Sequence, residues 1–316
     1  MNQSPIPGKA LGLLLLLSAL SGCAELAQPP ATPAPPPEEP AALEVAPRSP
    51  ESEAMAVYYR RVQTNLLAQG LLRTDGGGTD TPFSTRQLVE NFVRIALYDE
   101  YVTAGGGLIA RQTPSRLRRW EEPIRMSVEF GPSVPLAQRE KDKADIAGYV
   151  ARLARSARHP VRMSDRNPNY IVLMLNEDER RAIGPRLMEL VPGIDRSSVR
   201  SIADMPPSTF CLVFAFSNGS GSTYSKAVAV IRAEHPDALR LSCIHEELAQ
   251  GMGLANDSPA ARPSIFNDDE EFGLLTRHDE LLLRILYDRR LKPGMIEDEA
   301  RPIVEVIASE LLGGES

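Results

Sequence analysis

The sequence predicts an α+β domain built on a mixed sheet, preceded by an export segment and a tether. Segments with helical apolar spacing alternate with short apolar runs of strand length, which excludes an all-α or all-β chain. Strand-like runs at Phe210–Ser217 and Thr223–Ala233 flank Asn218-Gly219-Ser220-Gly221-Ser222, a hairpin-type connection. The hairpin leads into a helix whose end, Cys243 to Asp257 (CIHEELAQGMGLAND), concentrates the candidate chemistry of the chain.

Residues 1–23 have the order of an export signal, with Lys9 in the positive region and Leu11 to Leu20 as the apolar run. That run falls short of the roughly 20 residues a membrane-spanning helix needs. Leu20-Ser21-Gly22-Cys23 resembles a bacterial lipobox, which implies cleavage before Cys23 and its acylation, palmitate included. Ala24 stands where an aspartate would resemble an inner-membrane retention signal. The expectation is an outer-membrane lipoprotein facing the periplasm, with the inner membrane as the alternative. Residues 24–50, rich in proline and alanine, read as a disordered spacer that buries no core. Residues 51–316 are long enough for one large domain or two close-packed lobes.

Within the domain, a helix is expected over Glu51–Gln69, followed by the Gly76-Gly77-Gly78 turn. A second helix starts at Ser84 or Thr85, where a hydroxyl caps the first turn, and runs to about Tyr98. Leu88, Phe92, Ile95 and Ala96 give it an inward face. Gly105-Gly106-Gly107 reads as a loop, and no lysine with Ser/Thr follows to make it a phosphate loop. The alternation Ile124-Met126-Val128-Phe130 predicts a strand with one buried face. A polar helix over Leu136–Ala157, an apolar strand at Tyr170–Leu175 and a helix over Glu177–Leu190 follow. Pro263 to Asp269 is a polar acidic loop without calcium-hand spacing. Thr276 and Asp279 are spaced as a short capping box for a helix ending near Tyr287. A last helix spans Ile303 to Leu312.

In the motif stretch, His245-Glu246 opens a HExxH frame that fails at Ala249. Shifted by one residue, Glu246-Glu247-x-x-Gln250-x-x-Gly253-x-x-Asn256-Asp257 resembles the metzincin motif HExxHxxGxxH/D. That resemblance implies a zincin-like, two-lobed domain, with an upper lobe over 51–253 and a smaller helical lower lobe over 254–316. It also implies metal ligands at Glu246, Gln250 and Asn256 or Asp257, with Glu247 as general base. His245, His278 and Asp279 are candidates for the same cleft. Lys292-Pro293-Gly294-Met295 loosely resembles the Met-turn of those enzymes. Carboxylate and amide oxygens suit a hard divalent cation better than zinc, and the chain holds only four histidines. The plain alternative is an amphipathic core helix, with Ile244 and Leu248 facing inward, that stops at glycine.

Of three cysteines, Cys23 is committed to the anchor. Cys211 and Cys243 remain in an oxidising compartment, and a disulfide pinning helix to sheet is expected over the alternative of buried thiols. A net charge of −7 without a basic run argues against nucleic acid. The expected partners are the membrane, through the anchor, and an extended peptide or an envelope protein.

Several segments together resemble a family of proteobacterial putative lipoproteins, domain of unknown function 2927. They are Asn91–Tyr101, Arg119-Trp120, Cys243–Gln250 with Gly253-Leu254, Ser264–Asp268, Leu275–Asp279, Leu283–Tyr287 and Pro293–Met295. The resemblance covers most of residues 80–296 and carries no established activity. Two functions follow as expectations: a non-catalytic binding or scaffold module, or a metal-dependent, peptidase-like hydrolase with unusual ligands.

Overall fold

The computed structural model describes residues 45–104, 107–219 and 221–313. The export signal, Cys23 and the tether up to residue 44 lie outside the described residues, as do Gly105, Gly106 and Ser220. Among the described residues, no helix is long and apolar enough to cross a membrane.

The domain opens with α1 (Pro50–Ala68), which Ser49 caps by accepting from the Ser52 amide. Proline at the first helical position lacks only an N–H that the helix would leave unpaired anyway. α2 (Thr85–Ala96) carries the full capping box between Ser84 and Gln87 and buries Leu88, Phe92 and Ile95, as its spacing predicts. It stops at Ala96 because Tyr98 already begins β1 (Tyr98–Ala104), which pairs antiparallel with β2 (Gly107–Pro114). Sequence did not predict strands on either side of this glycine loop, whose Gly105 and Gly106 lie outside the described residues. These strands lack the clean apolar alternation that marks a half-buried strand.

β3 (Ile124–Phe130), α3 (Leu136–Ala157) and β4 (Val161–Met163) follow, then β5 (Tyr170–Leu175). The expected helix over 177–190 is two short ones, α4 (Glu177–Arg181) and α5 (Gly184–Leu190). Pro185 is the cause: it cannot donate to a preceding turn, and it sits comfortably only at the start of a new helix. α6 (Arg196–Ala203), capped by Asp195, precedes the hairpin of β6 (Cys211–Ser217) and β7 (Tyr224–Arg232). The chain ends with α7 (Asp237–Gln250), α8 (Arg277–Leu286) and α9 (Glu297–Gly313).

The five-stranded sheet has the order β4-β3-β5-β7-β6. β4, β3, β5 and β7 run parallel, and β6 joins β7 antiparallel at the edge. All of β5 is buried, which explains a run of six apolar or aromatic residues without alternation: both faces of this central strand are covered. Val172, Met174, Ala229 and Ile231 face a core shared with α2, α3, α7 and α8. Ile171, Leu173, Val228 and Val230 face a smaller core with Leu187 and Ile202 of α5 and α6. The larger core runs unbroken from Leu88 to Ala308, so residues on both sides of position 253 share it. α2 packs on α8 and α9, which draws an N-terminal helix into the C-terminal part.

Candidate functional site

The cleft is built around the C-terminal half of α7. Ile244, Leu248 and Ala249 fix the helix against the sheet. The Cys211–Cys243 disulfide ties it to the edge strand β6, in the pairing expected from sequence. Buried aromatic groups add a second hydrogen bond to carbonyls of the last helical turns, or meet the carbonyl just past the helix. Tyr149 donates to His245 O (2.6 Å), Tyr170 to Glu247 O (2.6 Å) and Trp120 Nε1 to Gly251 O (2.8 Å).

Two glycines end the helix for steric reasons. A Cβ on Gly251 would lie 2.2 Å from the Tyr170 hydroxyl. Gly253 has φ +123° and a Cβ there would lie 2.3 Å from Arg118 O. The glycine frame that resembles the metzincin motif is therefore required by packing in this chain.

Between α7 and β6 lies a cleft of about 280 Å³. Its floor carries Glu246, Glu247 and Gln250, Asp257 closes one end, and Cys211 and Val213 belong to the β6 wall. Asp99 of β1 and Arg118, at the base of the first hairpin, stand on the other side and pair with each other. Gln250 Nε2 donates to Asp257 Oδ1 at 3.0 Å. The structure thus brings Glu246, Glu247, Gln250 and Asp257 into one cleft.

It does not bring the remaining candidates there. Asn256 is fully buried against α2, where its side-chain amide donates to Arg94 O (2.7 Å) and its backbone N–H to Ile95 O (3.1 Å). His245 stacks on Tyr149, and its Nδ1 accepts from the Leu275 amide at 3.0 Å. Burial, reinforced by Arg152, pushes its pKa down to about 3, so the ring is neutral. His278 is buried beside Phe83 and 3.1 Å from the Asn91 side chain. Asp279 accepts from Ser264 Oγ, the Ile265 amide, and the Thr276 amide and hydroxyl, which makes it a staple for the turn into α8. For His245 the cause is helix geometry: i and i+1 point about 100° apart, so His245 faces Tyr149 of α3 and Leu275 while Glu246 faces the cleft. Sequence reading passed over Asp99 and Arg118, whose position depends on a hairpin it did not predict.

The donor set does not fit zinc. The Cys211 sulfur and carboxylate oxygens of Glu246 and Glu247 lie within 4.8 Å of one another. The sulfur, however, is bonded to Cys243 and cannot become the thiolate that binds metal. What is left in the cleft is oxygen: the Gln250 amide oxygen, a poor substitute for imidazole on zinc, and the Asp257 carboxylate, while Asn256 faces away.

Burial pushes the Glu246 carboxyl well above the ordinary glutamate range, and the charges of Asp257 and Glu247 add to the shift. Glu270 is raised to about 7 by burial, then by Asp268 and Asp269. A carboxyl whose pKa is higher in the folded than in the unfolded state stabilises the fold fully below its unfolded pKa. That contribution is lost as pH rises through the folded value. Replacing Glu246 with Gln removes one such group, so the variant should gain thermal stability over the parent near pH 8 relative to near pH 5, by a few degrees, since about 2–4 °C corresponds to 1 kcal/mol. Melting curves across this range check it, and an equal offset at both pH values would contradict it.

No curated protein and no solved structure matches the chain. A family described as "Protein of unknown function (DUF2927)" matches residues 85–306, a span that takes in both hairpins, the sheet, α7 and α8. The chain belongs to the DUF2927 family.

Proposed function

We propose that this protein is a lipid-anchored envelope protein whose zincin-like domain binds an extended polypeptide segment and does not cleave it. Cys23 would carry the anchor, and residues 24–50 would let the domain stand off the outer membrane in the periplasm. One observation carries the binding reading: β6 is the edge of the sheet, and it forms a wall of the cleft whose floor holds Glu246 and Glu247. A segment laid along β6 would sit about 4.8 Å from it and add a strand by main-chain hydrogen bonds. The carboxylates below would favour a lysine or arginine side chain projecting from that segment. An antiparallel edge strand overhanging a motif helix is the arrangement expected of the upper lobe of a zincin.

The rival reading, a metal-dependent hydrolase with Glu247 as base, rests on the proximity of Glu246 and Glu247. Asp257, which closes one end of the same cleft, and the amide oxygen of Gln250 are the further oxygens that a hard divalent cation would accept.

Selection from a random peptide display library on the immobilised full chain tests the proposal. The expected result is enrichment of extended peptides with Lys or Arg at one fixed position. Methylating alternate backbone nitrogens of such a peptide should abolish binding, and methylating the other set should not. Glu246→Gln with Asp257→Asn should erase the preference for the basic residue. No enrichment, or indifference to N-methylation, would overturn strand addition.

A further inference from the structure

Away from this cleft, at the seam where the C-terminal end of α3 meets α8, a second groove of about 390 Å³ has the opposite charge. Arg152, Arg155, Arg277 and Arg284 line it, with Glu280 as the carboxylate among its lining residues. Arg158, just past the end of α3, is close enough to Arg284 to oppose its charge. In a chain of net charge −7, such a concentration of guanidinium groups runs against the overall balance. Like charges held together cost free energy unless an anion offsets them.

The groove is also built, since protein carbonyls hold two of its guanidiniums in place. Arg284 donates to Ser156 O (2.7 Å) and Arg155 O (3.1 Å), so the end of α3 fixes it. Arg152 donates to Glu280 (2.7 Å) and to Leu275 O (2.8 Å). Both are half-buried, whereas Arg155 and Arg158 are exposed beside them. Among the described residues, no carboxylate pairs with Arg155 or Arg158. Burial, then Arg158, lowers the pKa of Arg284, as expected for a cation crowded by another.

We infer that the groove between α3 and α8 binds a multiply charged oxyanion of the phosphate class. A planar guanidinium presents paired N–H donors that match two oxygens of a phosphate, and several converging guanidiniums favour an anion with more than one negative charge. Such charge is presented either by one free molecule, as in a pyrophosphate or phosphate monoester, or by several singly charged phosphodiester headgroups side by side on an anionic membrane. The inference does not rest on the peptide-binding reading, because the two grooves share no lining residue.

The test uses the full chain and the double variant Arg155→Ala, Arg158→Ala. Both residues are exposed at the end of α3, so the fold should survive, and a melting curve in the absence of phosphate verifies this. One arm titrates inorganic phosphate and pyrophosphate calorimetrically at constant ionic strength. The other measures co-sedimentation with phosphatidylcholine vesicles with and without phosphatidylglycerol, where the same N-terminal segment is present in every sample. The expected result is saturable binding in at least one arm, weakened tenfold or more in the double variant. Binding of soluble anions would assign a free phosphate group, and binding to phosphatidylglycerol vesicles alone would assign a headgroup. No binding in either arm beyond the effect of ionic strength, or equal binding by the variant, would overturn the inference.

Discussion

Replacing both Cys211 and Cys243 with serine is expected to lower stability by about 3–4 kcal/mol, the loop-closure value for cysteines separated by 32 residues. The loop contains the whole of β7 and the first half of α7, so the unfolded chain gains considerable freedom when the bridge is absent. The native state loses a specific tie as well, because the disulfide is the covalent link between the edge strand and the helix that floors the cleft. Urea unfolding of the double variant, and of the parent with and without reductant, measures the difference. The parent under reductant should behave like the variant. A loss below about 1 kcal/mol would mean that packing alone holds α7 on β6.

Gly253→Ala should be damaging for a different reason. Its backbone has a positive φ of +123°, where a Cβ is disfavoured, and the added carbon would lie 2.3 Å from the Arg118 carbonyl oxygen. Backbone strain of about 1–3 kcal/mol and displacement of packed backbone of about 1–3 kcal/mol act together. The expected loss is therefore about 2–6 kcal/mol, as the contact is with main chain and not with a side chain that could swing away. Gly70→Ala is the control, since Gly70 also has a positive φ (+77°) but no atom within 4 Å of the added carbon. It should show the strain alone. Thermal denaturation of both variants separates the contributions, and equal losses would mean that the approach of Arg118 relaxes freely.

Much of this fold is legible in sequence because its signals are local. A capping hydroxyl at Ser84 or Thr85 marks the start of α2, and the boundaries of α3 and β5 follow from hydrophobic patterning. The disulfide was legible because the third cysteine has another expected role, which left one pair. What escaped the sequence depends on tertiary context. The β1–β2 hairpin has mixed polar and apolar positions, and β4 is only three residues long. The site divides in the same way. Glu246, Glu247 and Gln250 share a cleft because helical spacing fixes their directions, and Asp257 reaches them across the Gly253 turn. Asn256, one residue earlier, faces the opposite way and docks on α2. Spacing alone does not show which of two neighbours a turn will aim inward. His245 and Asp279 were candidates by residue type, yet a stacked neutral imidazole and a fully hydrogen-bonded carboxylate are structural solutions to burial.

Amide hydrogen exchange of the full chain, with and without a peptide selected on it, tests the central claim most directly. If an extended segment adds to the sheet, the alternate amides of β6 that do not pair with β7 should become protected on binding. Amides on the far edge, in β4, should keep their rates. Protection confined to α7, or spread elsewhere with β6 unchanged, would contradict strand addition at this edge.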